Sequence, residues 1–287
     1  MNTLQLGQVQ AGIGRLPSLP AIVLELLASL DREDVDVTAL SGKMALDQAL
    51  TARTLKLANS SFYGLSREVT SVQAAISVLG FNSIRAMATT AALMDGLASA
   101  RSAGLAVIPF WRHSIGVALC ARALAAHCGQ AQDSAYTVGL LHDIGRLLLA
   151  TQFPAQYSAV LEHQGHHDCG ALQSERVMLG LDHTQAGAAL ARHWKFPNVM
   201  QEAIAWHHEP QGHGALAGIV HGADALAHAL DLAARGGEGE GTTDQVPLLC
   251  GSAWACLALT PADLRRIFGA VEKDFEAACL VLVQHGG

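Results

Sequence analysis

Apolar residues recur along this chain at spacings of three and four, and this spacing constrains the fold more than any other feature. The run Ile22, Val23, Leu26, Leu27 and Leu30 is typical. It marks one buried face of a helix, because 3.6 residues make one helical turn. No alternating apolar and polar pattern is long enough to predict a strand. The sequence therefore predicts an all-α protein.

The composition agrees with closely packed helices. Alanine occurs 50 times, against 7 phenylalanines and 3 tyrosines, and alanine favours helices whereas aromatic residues favour strands. Apolar residues make up 51% of the chain and charged residues 15%, so the chain can bury a core and wholesale disorder is excluded. The six cysteines form no C-x-x-C pair, which is typical of reduced thiols in a cytoplasmic protein.

The charge and hydropathy patterns exclude two classes of partner. A net charge of −7 and a pI near 6.0 argue against binding nucleic acid through bulk electrostatics. No run of about 18 uncharged apolar residues is present that would predict a transmembrane helix. Residues 1–14 lack the basic start and apolar core of a signal peptide. We therefore expect a cytoplasmic protein with neither a nucleic-acid partner nor a membrane partner.

Helical periodicity predicts a series of helices in the second half of the chain. Their predicted ranges are 109–127, 134–152, 154–164, 184–194, 198–207 and 216–235. Three histidines, His163, His166 and His167, fall in a predicted polar loop at 164–168 or at its edge, and we interpret them as solvated. The histidines at 127, 193, 213 and 285 receive the same interpretation.

An adjacent His142 and Asp143 stand inside the apolar run 139–146. A buried carboxylate must be paired or bound to a metal, and imidazole together with carboxylate suits a divalent ion such as iron, manganese or zinc. The alternative is a polar pair that serves helix packing, with Asp143 accepting a hydrogen bond from His113 or Arg146. The sequence alone leaves both interpretations open.

More histidines and one more aspartate accompany this pair in a regular order between residues 113 and 224. They are His113, His183, His207, His208 and Asp224. Each lies at a predicted helix edge within the same apolar region. A metal site that includes Asp224 requires the segment after residue 211 to fold back onto the helix of His142.

The order of these residues resembles the metal-binding signature of the HD superfamily of phosphohydrolases. The resemblance implies a first ion bound by His113, His142, Asp143 and Asp224. Three further histidines look like the additional ligands of the HD-GYP branch, which hydrolyses cyclic di-GMP at a multinuclear metal centre. They are His183, His207 and His208.

Two departures distinguish the chain from the HD-GYP branch. No Gly-Tyr-Pro follows Glu209 and Pro210, and Arg146 stands where that branch carries lysine. The resemblance implies a phosphate contact for Arg146 if the chain is an enzyme. The departures weigh against hydrolysis of cyclic di-GMP.

The wider sequence resembles the HDOD family, the HD-related output domains, over residues 12–210. The similar motifs lie at 16–20, 55–63, 76–80 with Arg85, and 139–145, while Gln48 replaces a proline that is common in the family. The resemblance implies an N-terminal helical lobe to about residue 105, followed by an HD-like helical bundle. Residues 1–11 form a lead-in and residues 211–287 complete or flank the bundle. A glycine- and glutamate-rich run predicts a mobile loop near 236–245.

Two function classes follow from the resemblance. The first is a bacterial signal-transduction regulator that acts through protein–protein contacts and has little or no catalysis. Its partner would be a separate chain, such as a histidine kinase, a response regulator or a cyclic-di-GMP enzyme. The second is a metal-dependent phosphohydrolase acting on a nucleotide or cyclic dinucleotide, in which the metal activates a bound water. We favour the first, because the Gly-Tyr-Pro loop is missing and the N-terminal lobe contributes no recognisable acid, base or nucleophile.

Overall fold

Helices form all the regular secondary structure in the described part of the chain. The computed structural model describes residues 3–16, 20–29, 34–59, 68–81, 84, 85, 88, 104–167, 169–230, 232 and 249–282. These ranges contain no strand, so the all-α prediction is confirmed. None of the helices found in these ranges has the length and apolar character needed to cross a membrane. The predicted loop at 236–245 lies outside the described residues. Helical periodicity also predicts a helix at 83–97, and nearly all of that range lies outside them too.

The first helix belongs with the HD-like lobe. Helix α1 (Leu6–Ile13) packs against two helices of that lobe. The backbone N–H of Leu4 donates to Leu179 O at 2.7 Å, and Gly12 lies so close to Phe153 that an added Cβ would be 3.3 Å from its ring. The segment predicted as a lead-in is thus an integral part of the packing.

Within the described residues, four short helices of the N-terminal lobe have defined bounds. They are α2 (Ala21–Ala28), α3 (Val37–Leu46), α4 (Gln48–Ala58) and α5 (Val72–Leu79). Asp36 and Ser71 cap α3 and α5, since each side chain accepts a hydrogen bond from a backbone N–H of the first turn. Gly80 ends α5 with a φ of 83°, a conformation that favours glycine.

Two polar residues of the HDOD-like motifs have structural roles in this lobe. The Asn59 side chain exchanges two hydrogen bonds of 2.8 Å with the backbone of Val69. Arg85 donates to Ser29 O at 2.7 Å and to Ser29 Oγ at 3.1 Å. Asn59 therefore joins the end of α4 to the segment that precedes α5.

The HD-like lobe is built from consecutive helices that surround a central polar cluster. They are α6 (Val107–His127), α7 (Gln132–Leu141), α8 (Ile144–Gln152), α9 (Pro154–His167), α10 (Ala171–Leu179), α11 (His183–His193), α12 (Asn198–Trp206) and α13 (Gly214–Ala229). The long helix α6 packs against both α7 and α13. Helix α9 extends to His167, so the prediction of a loop at 164–168 is wrong for residues 164–167, where the helical hydrogen bonding continues.

The predicted single helix at 134–152 is also wrong, because the chain turns at His142 and Asp143. In a continuous helix the carbonyl of Gly139 would accept from the N–H of Asp143. Here the His142 ring bonds that carbonyl, with Nδ1 2.8 Å from Gly139 O, a side-chain competition typical of helix ends. Helix α7 ends at Leu141 and α8 begins at Ile144, which leaves both polar side chains in the turn.

Glycine allows two close approaches that position this turn. A Cβ on Gly139 would lie 2.9 Å from the Cα of Ala118 in α6. A Cβ on Gly145 would overlap the carbonyl oxygen of His183. Both positions therefore exclude larger residues, and the His142–Asp143 turn is pressed between α6 and the start of α11.

The C-terminal helices pack on the HD-like lobe. Helix α14 (Gly251–Cys256) contacts α13, and α15 (Pro261–Leu282) contacts α6 and α4. Arg112 of α6 donates to Glu276 of α15 at 2.8 Å. Together with α13, these contacts bring residues after 211 back onto the bundle, as the inclusion of Asp224 in a shared site requires.

Candidate metal centre

Seven side chains singled out by the sequence lie together inside the HD-like lobe, in two groups. The first donor set contains His113, His142 and Asp224, and the second donor set contains Asp143, His183, His207 and His208. Within each set, one potential ligand atom from every residue lies within 4.8 Å of the others. The structure thus divides the predicted constellation between two positions that could each hold an ion.

Asp143 connects the two sets. Its Oδ1 lies 3.2 Å from His183 Nε2 and 3.6 Å from His207 Nε2, both in the second set. The same oxygen lies 3.6 Å from Nε2 of His142, which belongs to the first set. One carboxylate oxygen therefore faces imidazoles of both sets, a position suited to bridging two ions.

Asp224 provides the carboxylate of the first donor set. Its Oδ1 lies 3.1 Å from His113 Nε2, 3.5 Å from His228 Nε2 and 4.0 Å from His142 Nε2. The oxygen is fully buried, and none of the described residues donates a well-aligned hydrogen bond to it. Burial opposes ionisation, but His113 and the other imidazoles outweigh it and hold the pKa of Asp224 far below its ordinary value.

Two histidines are oriented by backbone carbonyls so that Nε2 points into the cluster. His142 Nδ1 lies 2.8 Å from Gly139 O, and His207 Nδ1 lies 2.9 Å from Ile204 O. In the tautomer that donates these bonds, Nε2 carries a lone pair. The Nε2 atom of His207 is buried without a hydrogen-bond partner. Burying a lone pair without a partner is costly unless a further group, such as a metal ion, binds to it.

A buried glutamate orients His183. Glu175 of α10 is completely buried, and its Oε2 accepts from the backbone N–H of His183 at 2.7 Å and from its ring Nδ1 at 2.6 Å. Metal-binding histidines commonly donate their second ring N–H to a carboxylate in this manner. Glu175 belongs to no motif that marked it in the sequence, and the one signal of its burial is that it shares a helix face with Leu179.

His208 completes the second donor set and differs from the others in being partly exposed. Its Nε2 lies 3.0 Å from His183 Nε2, a distance at which at most one of the two nitrogens carries a proton. Burial and the neighbouring imidazoles hold the pKa of His208 well below its ordinary value. Burial also opposes the charge on His183, but Glu175 and Asp143 outweigh it and raise the pKa of His183 to about 9.

Arg146 and His221 have supporting contacts in the structure. Arg146 Nη1 lies 3.3 Å from Asp143 Oδ2 and its Nε lies 3.3 Å from the Tyr157 hydroxyl, so a contact with Asp143 that the sequence left open is present. The phosphate contact implied by resemblance stays a prediction. His221 Nδ1 bonds His207 O at 2.7 Å and its Nε2 accepts from the Cys250 N–H at 2.8 Å. Both ring nitrogens of His221 are therefore engaged, whereas Asp224 and His228 of the same helix lie at the first donor set.

The chemistry of both sets fits divalent first-row metals. The donors are imidazole nitrogens and carboxylate oxygens, a combination that suits iron, manganese or zinc. The buried His207 Nε2 and Asp224 Oδ1 accept no hydrogen bond from the described residues, and an ion would satisfy both atoms. The residues present therefore fit a metal pair.

Comparison with known proteins decides the family. The sequence model of the HDOD domain matches residues 16–210, which is more than half of the chain. The chain belongs to the HDOD family. This agrees with the resemblance seen in its motifs and with a metal-ligand pattern of the HD superfamily.

Solved structures similar to this HDOD protein share its fold over nearly the whole chain. An HDOD domain protein of unknown function from Geobacter sulfurreducens is 25% identical, with a TM-score of 0.77 and coverage of 98% of this chain and 99% of that one. A candidate phosphohydrolase from Shewanella amazonensis is 26% identical, with a TM-score of 0.72 and coverage of 96% and 98%. A candidate signal transduction protein from Marinobacter aquaeolei is 25% identical, with a TM-score of 0.77 and coverage of 97% and 66%.

A curated relative extends well beyond the matched region. An uncharacterized protein from Treponema pallidum is 24% identical over 198 residues, which are 68% of this chain. The match spans only 38% of the length of that relative. The matched part of this chain therefore corresponds to well under half of that longer protein.

Proposed function

We propose that this HDOD protein is a bacterial, cytoplasmic signal-transduction regulator whose HD-like lobe holds two divalent metal ions. The observation that carries the proposal is the pair of donor sets joined at Asp143, whose Oδ1 lies within 3.6 Å of imidazoles from both sets. The output would be contact with a separate signalling chain, such as a histidine kinase, a response regulator or a cyclic-di-GMP enzyme. The similarity of this chain to the candidate signal transduction protein from Marinobacter aquaeolei agrees with this class.

In this proposal each donor set holds one ion, of iron, manganese or zinc. His113, His142 and Asp224 would bind the first ion, and Asp143 would lie between the two. The second ion would be bound by His183, His207 and His208. When bound, such ions lower the pKa of a coordinated water and polarise phosphoryl oxygens.

The surroundings of the donor sets favour regulation over catalysis. The donors other than His208 are buried, which limits the approach of a substrate. The guanidinium of Arg146 contacts Asp143 and Tyr157 and thereby neutralises a carboxylate of the protein. The residues that replace the Gly-Tyr-Pro element continue into the start of α13, with His213 stacked on Trp206 at 3.9 Å.

A metal-dependent phosphohydrolase is the second candidate function. The completeness of both donor sets favours it, because a purely structural ion needs only one closed set of four ligands. The similarity to the candidate phosphohydrolase from Shewanella agrees with this alternative. Here the ions would act on a nucleotide or cyclic dinucleotide.

Metal analysis followed by turnover assays tests the proposal and separates the two functions. The full chain, purified without chelator, is analysed for metal and then assayed with cyclic di-GMP and bis(p-nitrophenyl) phosphate in Mn²⁺ or Fe²⁺. Two ions per chain with no turnover support the regulator. Turnover at about 1 s⁻¹ or faster that Asp143→Asn abolishes establishes the phosphohydrolase instead.

A matched variant controls for the loss of a carboxylate. Glu202 is exposed on α12, and Glu202→Gln should retain both ions. If the wild-type chain binds no divalent metal under any of these conditions, the metal-holding part of the proposal is wrong.

A further inference from the structure

A cavity beside the second donor set has the size of a small-molecule site. Its volume is about 500 Å³, within the range of about 300–1,000 Å³ typical of ligand pockets. It lies between the N-terminal segment, α11 and α12, where Leu4 and Leu6 form one wall. Ala188 and Ala205, whose side chains are small, also line it.

The cavity reaches the second donor set at one residue. His208 lines it and also belongs to the donor set, with Nε2 3.0 Å from His183 Nε2. Because His183 and His207 are buried, His208 is the point at which a molecule in the cavity would approach that set.

The cavity wall carries an arginine without a carboxylate partner. Arg192 is exposed near the end of α11, and within the described ranges no acidic group forms an ion pair with it. Arg176, which also lines the cavity, differs because it contacts Asp182 at 2.7 Å and Glu209 at 3.3 Å. An arginine that is not neutralised by the protein favours an anionic ligand, and its planar fork matches phosphate oxygens.

An exposed indole provides a second recognition element. Trp206 lines the cavity with 40% of its surface exposed. One face of its ring stacks on His213, with ring centroids 3.9 Å apart and an angle of 5°. This stacking fixes the plane of the indole, and the exposed part of the ring offers a surface for stacking of a nucleobase, a usual mode of base recognition.

We propose that this cavity binds a nucleoside phosphate, with the base on Trp206 and the phosphate on Arg192. The ligand would be an input signal for the regulator, since it would lie against His208 and so affect the second donor set. Only the contact with His208 rests on the proposed function, because His208 belongs to the proposed metal centre. The contacts with Arg192 and Trp206 involve no metal.

Calorimetric titration of the full chain with guanosine 5′-monophosphate tests the proposal. Guanosine and inorganic phosphate are titrated in parallel, and all three are tested after chelator treatment and again after loading with Mn²⁺. We expect guanosine 5′-monophosphate to bind the chelator-treated chain more tightly than either fragment does. We expect Mn²⁺ to tighten its binding further.

Two substitutions separate the base contact from the phosphate contact. Arg192→Gln should weaken binding of the nucleotide about tenfold and leave guanosine unchanged. Trp206→Leu should weaken both the nucleotide and guanosine about tenfold and leave inorganic phosphate unchanged, while Trp206→Phe should restore much of the loss. Arg265, exposed on α15, supplies the matched control, and Arg265→Gln should change nothing.

Specific outcomes overturn the proposal. No binding of the nucleotide by either form of the wild-type chain would do so, as would wild-type affinity in both the Arg192→Gln and Trp206→Leu variants. Binding of inorganic phosphate as tight as that of the nucleotide would exclude the nucleotide class. Metal content is measured on the same samples, so failure of the nucleotide site is distinguishable from failure of the metal centre.

Discussion

The two donor sets use similar side chains but differ in how the protein encloses them. The first set lies between α6, the His142–Asp143 turn and α13, and all three of its residues are buried. The second set is backed by the buried Glu175 on one side and reaches a cavity through His208 on the other. The difference suggests a division of roles, because an enclosed ion stabilises packing whereas an accessible one responds to ligands.

The largest expected effect comes from substitution of Asp143, whose carboxylate faces imidazoles of both donor sets. In Asp143→Asn the buried Arg146 and the neighbouring imidazoles lose their shared anion. We expect the metal content to fall from two ions to nearly none and the free energy of unfolding to fall by about 3–5 kcal/mol. Metal analysis and urea denaturation measure the two quantities. A variant that keeps either ion at full occupancy would contradict the bridging role.

A substitution at Gly145 should affect the second set more than the first. In Gly145→Ala the new Cβ overlaps the carbonyl of His183, so α8 and α11 must separate. We expect a loss of about 1–3 kcal/mol in unfolding free energy and loss of one of the two ions. Gly165→Ala is the matched control, since nothing lies within 4 Å of that position. Equal behaviour of the two variants would show that the close approach has no role.

Glu175→Gln should weaken the second ion without changing the first. The substitution removes the charge that orients His183 through the 2.6 Å contact. Loss of such a supporting carboxylate typically lowers metal affinity about 10–100-fold. Competition with a chromophoric chelator measures the two affinities separately. Equal weakening of both ions would show that the sets are not independent.

The smallest expected effect is on the pH dependence of stability. In chelator-treated protein, His142 of the first set and His183 of the second set should change the free energy of unfolding in opposite directions as pH rises. Burial lowers the pKa of His142 to about 4, so the unfolded chain binds the extra proton and stability rises as pH increases from about 4 to 6.5. The pKa of His183 is raised to about 9. Its protonated form therefore contributes fully to the free energy of unfolding below pH 6.5, and this contribution is lost as pH rises through 9.

Denaturation between pH 4 and 10 measures this dependence. Glu175→Gln should flatten the alkaline limb, because Glu175 is the first of the neighbouring charges that favour the protonated form of His183. The acid limb should be unchanged, since Glu175 is not among the groups that shift His142. An unchanged alkaline limb would contradict the role assigned to Glu175.

Local patterns in the sequence were sufficient for the helical class and for most helix positions, and the resemblance to the HD superfamily singled out the seven residues that the structure brings together. Helical periodicity depends on neighbours three and four residues apart, so it can be recognised without a structure. The break at His142 could not be recognised in this way. It depends on a competition for the carbonyl of Gly139, and the apolar pattern continues on both sides of it.

What the sequence determined by itself is therefore an all-α HDOD chain with a histidine- and aspartate-rich centre. Only the tertiary structure decided that the donors form two sets joined at Asp143, that Glu175 supports one of them, and that a cavity reaches His208. The reason is that each of these features joins residues from different helices. Their distances depend on close approaches between elements, such as that of Gly145 to His183, and no local pattern records such distances.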